Sequence, residues 1–210
     1  MKDKHIIICV GRQLGSGGHD IARMLAMDFN ANYYDRELLN LAAKESGFSE
    51  KFFEENDEKK GFFKSLFNMQ APHLGGTSSL YRTNFSQESL FQFQSDAIRK
   101  AAEEGSCVFV GRCADYVLRD QKNVINVFLK ADMEHRRERA IERGAEPQKA
   151  EETVRKNDKD RAAYYNYYAT STWGDVNNYD LCVDTGKLGY DGTVQLIIDY
   201  VHLREKVIGG

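Results

Sequence analysis

The stretch IIICVGRQLGSGGHDIARMLA, residues 6–26, decides how the rest of the chain is read. It opens on an apolar, largely β-branched run, turns through Gly15, Gly17 and Gly18, and continues with apolar residues at helical spacing. The layout is strand, glycine turn, helix. Such a turn lets several backbone N–H groups converge, and the free N–H groups and dipole of the following helix add positive potential. Phosphate is the ligand that this arrangement suits.

Two patterns test that idea. The dinucleotide pattern GxGxxG fits Gly15 and Gly17 but meets Asp20 where its third glycine belongs. A carboxylate there opposes a pyrophosphate, so a dinucleotide site is excluded. The pattern GxxxxGK[ST] aligns from Arg12 to His19, with Arg12 for the first glycine, Gly18 for the lysine and His19 for the hydroxyl residue. Arg12 is the only cation within the turn, and it is expected to fold back and take the lysine's charge role.

Outward from this stretch, short apolar runs recur at residues 106–111, 123–131 and 179–185, with a weaker one at 31–35. They alternate with helical patterns and are apolar on both sides, which predicts parallel strands covered on both faces, an α/β fold. Asp35 can cap a helix over 36–46, Ser49 a second over 50–57, and a third runs over 86–105. Residues 68–84, rich in Gly, Ser and Thr without apolar period, read as a mobile loop. Residues 36–104 are thus expected to form a mostly helical insertion between two strands.

A charged segment follows the run at 123–131, with nine Arg or Lys between Arg136 and Arg161. Taken alone it fits a solvated helix face laced with i,i+4 Glu–Arg pairs. The final pattern, 189–207, reads as an amphipathic helix packed on the sheet.

Composition narrows the classes. The 210 residues carry 41% hydrophobic and 29% charged side chains with a net charge of −3, which suits one globular domain and gives no global pull toward nucleic acid or anionic membrane. The N-terminal apolar run is too short for a signal-peptide core or a membrane span, so a cytoplasmic protein is expected. Cys9, Cys107, Cys113 and Cys182 show no CxxC spacing and read as reduced structural thiols, three of them inside apolar strand-like runs where cysteine behaves as a small buried hydrophobe. No Cys/His cluster has metal-ligand spacing.

Taken together, GRQLGSGGHDIA, YYDRELL, QSDAIRKAAEEGSCVFVGRCADYVL, DKDRAAYYNYY and WGDVNNYDLCVDTGKLG resemble the cytidylate kinase-like proteins, a branch of the P-loop nucleoside monophosphate kinases. The resemblance covers essentially the whole chain. It implies a three-layer P-loop kinase fold over residues 1–210, with a five-stranded parallel sheet, an acceptor-binding insertion at about 36–104 and a lid at about 134–172. It also implies ATP with Mg2+ as donor, with no protein ligand to the metal assignable. Gly15, Ser16, Gly17, Gly18 and His19 would wrap the donor phosphates, and Asp35, Arg36, Gln94 and Arg112 would line the acceptor. Arg12, Arg155, Lys159 and Arg161 would supply charge to the transferring group.

The sequence departs from that family at Gly18 and His19, at Val110 in place of an acidic residue before "GR", and at Cys113 in place of the aspartate after it. The expected activity is transfer of the ATP γ-phosphoryl group to a small acceptor, with a nucleoside monophosphate such as CMP the first candidate. Two alternatives stay open: a nucleotide-binding sensor without turnover, and a kinase for another small metabolite. The bland readings also stand: Asp35 as a helix cap only, His19 as a first-turn residue, and Tyr164 to Tyr168 as a packing face.

Overall fold

The computed structural model describes residues 5–35 and 87–209. Arg36, the two helices expected over 36–57 and the loop expected over 68–84 lie outside the described residues. Among those described, five strands form one sheet: β1 (Ile7–Arg12), β2 (Asn32–Tyr34), β3 (Cys107–Val110), β4 (Val124–Lys130) and β5 (Leu181–Asp184). Every pairing is parallel and the spatial order is β2-β3-β1-β4-β5. All five apolar runs read from the sequence are strands of this sheet. The first extends past Gly11 to Arg12, because Arg12 still pairs with Leu129 of β4.

Six helices complete the described chain: α1 (Gly18–Asp28), α2 (Gln87–Glu104), α3 (Ala114–Val117), α4 (Met133–Glu142), α5 (Ala150–Tyr168) and α6 (Thr185–Gly209). α6 is kinked at Gly189, whose φ of 67° lies outside the helical region. The central strands β1, β3 and β4 are apolar at most positions because each face is covered. Ile8, Val10, Val108, Val127 and Leu129 point to the side where Ile21, Leu25, Val194 and Ile197 of α1 and α6 pack. Their alternates Ile7, Cys9, Cys107 and Phe109 meet Ile98 and Ala101 of α2 and Ala114 and Val117 of α3. At about 1.5–3 kcal/mol for each fully buried large aliphatic side chain, this double burial dominates the fold's stability.

The strand order fixes where a ligand can sit. Neighbouring strands β1 and β3 feed helices on opposite faces, α1 on one and α3 on the other, so their carboxyl ends part and leave a crevice. Of the three cysteines in apolar runs, Cys9 and Cys107 are buried as expected, but Cys182 is exposed, because β5 is an edge strand; Cys113, outside those runs, is buried as well.

Candidate functional site

The glycine turn lies at the carboxyl end of β1. Gly15 and Gly17 have φ of 82° and 76°, a left-handed conformation that costs a residue with a Cβ about 1–2 kcal/mol. Space forbids a side chain at both positions as well. A Cβ at Gly15 would lie 2.5 Å from the Arg136 carbonyl oxygen, and one at Gly17 would fall on the Tyr190 ring. Ser16 is buried, and its hydroxyl donates to the Gln13 carbonyl at 2.9 Å, closing the turn from within. Gly17 caps α1 without any side-chain hydrogen bond, which leaves the helix's first N–H groups to the turn.

Arg12 projects from the end of β1 across this turn. Burial, then the like charges of Arg161 and Arg112, lower its pKa to about 9. Arg161, on α5, donates to the Arg12 carbonyl oxygen at 3.0 Å, and burial pulls its own pKa down, opposed by the Asp158 carboxylate 4.0 Å away and reinforced by Arg136 and Arg112. Arg112 lies in the turn after β3, where Gly111, Arg112 and Cys113 all have positive φ of 72°, 59° and 55°. Two consecutive non-glycine residues held this way are strain of the kind stored at functional sites. The Arg112 guanidinium stacks on the Tyr164 ring at 4.9 Å, and the Tyr164 hydroxyl donates to Gln94 Oε1 at 3.1 Å. Gln94 and Arg112, both expected at the acceptor, are thereby joined through one tyrosine.

His19 and Asp35 are joined in the same way. His19 Nδ1 lies 2.9 Å from the Tyr33 hydroxyl, which donates onward to Asp35 at 3.3 Å. Burial, then the Arg12 charge, lowers the His19 pKa to about 4, so its imidazole is neutral.

The other two expected cations lie elsewhere. Arg155 and Lys159 are on the exposed face of α5, where Arg155 pairs with Glu151 at 2.8 Å in the i,i+4 geometry of a solvated helix. The inward face carries Asp158, which the sequence reading missed. Its carboxylate accepts the Leu14 N–H at 2.7 Å and pairs with Arg136 at 2.7 Å, with the two side chains only 14% and 6% exposed. Burial pushes the Asp158 carboxyl up and the Arg136 guanidinium down, and each is opposed by the other's charge. A signal for this face was present: Ala150, Val154 and Tyr165 are the helix's buried residues, and Asp158 and Arg161 share their stripe.

The tyrosine run serves largely as packing. Tyr168 stacks on Phe91 of α2 at 4.1 Å, and the Tyr165 hydroxyl donates to Asp115 at 2.6 Å. Cys113 is enclosed with Tyr165 and Ala169, and burial pushes its thiol up to about 12. On the other side of the glycine turn, a recess of about 230 Å³ is bounded by Gly15, His135, Arg139, Gly186 and Tyr190. Arg139 stacks on the Tyr190 ring at 4.5 Å there.

A parallel sheet in the order 2-3-1-4-5, with a glycine turn between its central strand and the next helix, defines a P-loop kinase fold. A model of the cytidylate kinase-like family matches residues 7–187, and the chain belongs to that family. It is 32% identical to an uncharacterized protein from Eubacterium ventriosum, whose crystal structure superposes with a TM-score of 0.72 over 94% of this chain and 99% of that one. Shikimate kinase from Bacteroides thetaiotaomicron shares the fold at 13% identity and TM-score 0.53, covering 94% and 98% of the two chains. Shikimate kinase from Acinetobacter baumannii in complex with shikimate does so at 13% identity and TM-score 0.51, covering 97% and 96%. No curated protein matches the chain. Among the described residues, no helix is long and apolar enough to cross a membrane.

Proposed function

We propose that the protein is a cytoplasmic phosphotransferase that moves the γ-phosphoryl group of ATP to a small acceptor, a nucleoside monophosphate such as CMP being the first candidate. The observation that carries this reading is the convergence of Arg12, Arg112 and Arg161 at the crevice between β1 and β3, close enough for like charges to depress Arg12. Crowding guanidinium groups around a buried point is unfavourable until an anion arrives, and a transferring phosphoryl group is such an anion. The glycine turn and the open end of α1 would grip the donor phosphates. The recess by Arg139 and Tyr190 would take the donor base, and the Arg112–Tyr164–Gln94 side would face the acceptor.

In the reaction an acceptor oxygen attacks the γ-phosphorus while the bond from that phosphorus to the β,γ-bridging oxygen breaks. ADP leaves, and the acceptor carries the phosphoryl group. Mg2+ on the donor phosphates would neutralise charge on their oxygens. The side chains present do not fit a metal held by the protein. An imidazole hydrogen-bonded to Tyr33 stands in the hydroxyl's place, and the described residues hold no group of three His, Cys, Asp or Glu suited to a metal. No step is therefore assigned to it.

A sensor that binds ATP without turning it over is the second reading. It is favoured by Val110, which is 1% exposed in the core where a carboxylate at the end of β3 would otherwise face the crevice. A coupled ADP-release assay with ATP and Mg2+, screened across CMP, dCMP, UMP, AMP and GMP beside calorimetric ATP binding, separates the two. Acceptor-dependent release abolished by Arg112→Ala supports the phosphotransferase. Tight ATP binding with no release for any nucleotide of the panel leaves the sensor or a kinase for another small acceptor, and no binding at all removes all of these.

A further inference from the structure

Of the three positions at which the chain departs from the lysine-bearing phosphate loop, Arg12, Gly18 and His19, the first two lie six residues apart and meet in the fold. A Cβ at Gly18 would lie 2.6 Å from Arg12 Cγ and 2.8 Å from its Cβ, so the arginine's stem runs through the space where a side chain at 18 would leave the backbone. The far end of the same side chain is equally confined. A Cβ at Gly111 would fall on Arg12 Nη1 and lie 3.2 Å from Cζ, placing the guanidinium at the carboxyl end of β3 beside Arg112. Arg12 Nε is buried with no hydrogen-bond partner among the described residues. Arg12 thus spans the crevice from the first residue of α1 to the turn after β3.

We propose that Arg12 and Gly18 are a single exchange: the cation that position 18 supplies in the lysine-bearing loop comes from position 12, and position 18 is glycine because the arginine's stem fills its place. The ligand is the terminal phosphate of a nucleoside triphosphate, so the inference rests on the phosphotransferase or sensor reading above. It goes further by stating which cation replaces the lysine and from which side it arrives. A lysine at 18 would reach along the loop as a point charge, whereas the Arg12 fork enters from the β3 side and meets the γ-phosphate edge-on. Gly111 belongs to the same device, since any side chain there collides with the guanidinium.

The exchange has a consequence for stability that needs no ligand. Gly18 is the first residue of α1 and its φ is not positive, so alanine there suits the helix better than glycine and ought to stabilise it. With Arg12 present, the new methyl group instead meets the arginine stem. Thermal melts of the wild type, Gly18→Ala, Arg12→Gly and the double variant are therefore expected to show a change of sign: Gly18→Ala lowers Tm in the wild-type background and raises it in the Arg12→Gly background. Equal effects in the two backgrounds would overturn the shared-space half of the proposal.

The charge half is read by calorimetry with ATP. Arg12→Gly is expected to weaken binding at least ten-fold, and Arg12→Gly with Gly18→Lys, which restores the first glycine and the lysine of the pattern, to recover most of the loss. A double variant that binds no better than Arg12→Gly alone overturns it. If the wild type itself binds no ATP, the functional reading fails, while the melting experiment still decides whether positions 12 and 18 are exchanged.

Discussion

His19 titrates under the control of its neighbours. Its ring is boxed by Arg12 from β1, by Tyr33 of β2 and Asp35 just after it, and by the charges of Arg161 and Arg143. Burial, then Arg12, takes its pKa from 6.5 to about 4, while Asp35 works weakly the other way. Between those values the unfolded chain binds a proton that the folded imidazole refuses. The His19 contribution therefore favours unfolding in acid: it is fully present above about pH 6.5, falls through the window and is lost below about pH 4. His19→Asn is expected to flatten that slope, so that wild-type stability minus variant stability is larger at pH 7 than at pH 4.5 in chemical denaturation. Parallel curves for the two proteins would show that His19 does not titrate this way. The sequence placed His19 in the turn but could not show its neutrality, because the groups that enforce it come from residues up to 142 positions away.

At the scale of the element, α5 shows how far charge spacing can be read. The i,i+4 pair of Glu151 and Arg155 is a solvated face and was legible as such, while Asp158 and Arg161 turn inward from the same helix. Glu and Arg at helical spacing look alike on either face, and only the apolar markers Val154 and Tyr165 separate them. The two faces predict unequal mutational costs. Asp158→Asn leaves Arg136 charged and 6% exposed without its carboxylate, and breaking a buried pair costs about 3–5 kcal/mol. It should also weaken the Leu14 tie that holds the glycine turn to α5, raising KM for ATP more than it lowers kcat. Arg155→Ala removes an exposed pair and should leave the urea midpoint unchanged within error. Similar midpoints for the two variants would mean that α5 does not carry its charge asymmetrically.

For the whole molecule, the central strands were legible because burial on both faces leaves them as largely apolar runs bounded by turn residues, while the edge strand β2 carried the weaker signal. The meeting of Arg12, Arg112 and Arg161 was implied only by the family resemblance and not by local pattern, since the partners are 100 and 149 residues distant from Arg12 and the 2-3-1-4-5 order with the docking of α5 unites them. That distance makes the anion site a property of the folded state alone. A polyphosphate that binds there binds no unfolded chain, so it raises stability by RT ln(1 + [L]/Kd), about 2.7 kcal/mol at a hundred-fold excess over Kd. For a chain of this size each kcal/mol moves the midpoint by roughly 2–4 °C. Saturating ATP or inorganic tripolyphosphate is thus expected to raise Tm by about 5–11 °C at low salt. Arg161→Ala should cut the rise by more than half, and it should also relieve like-charge repulsion on Arg12 in the free protein. A Tm unmoved by either polyphosphate, or one raised equally in Arg161→Ala, would show that the three guanidinium groups do not act together on an anion.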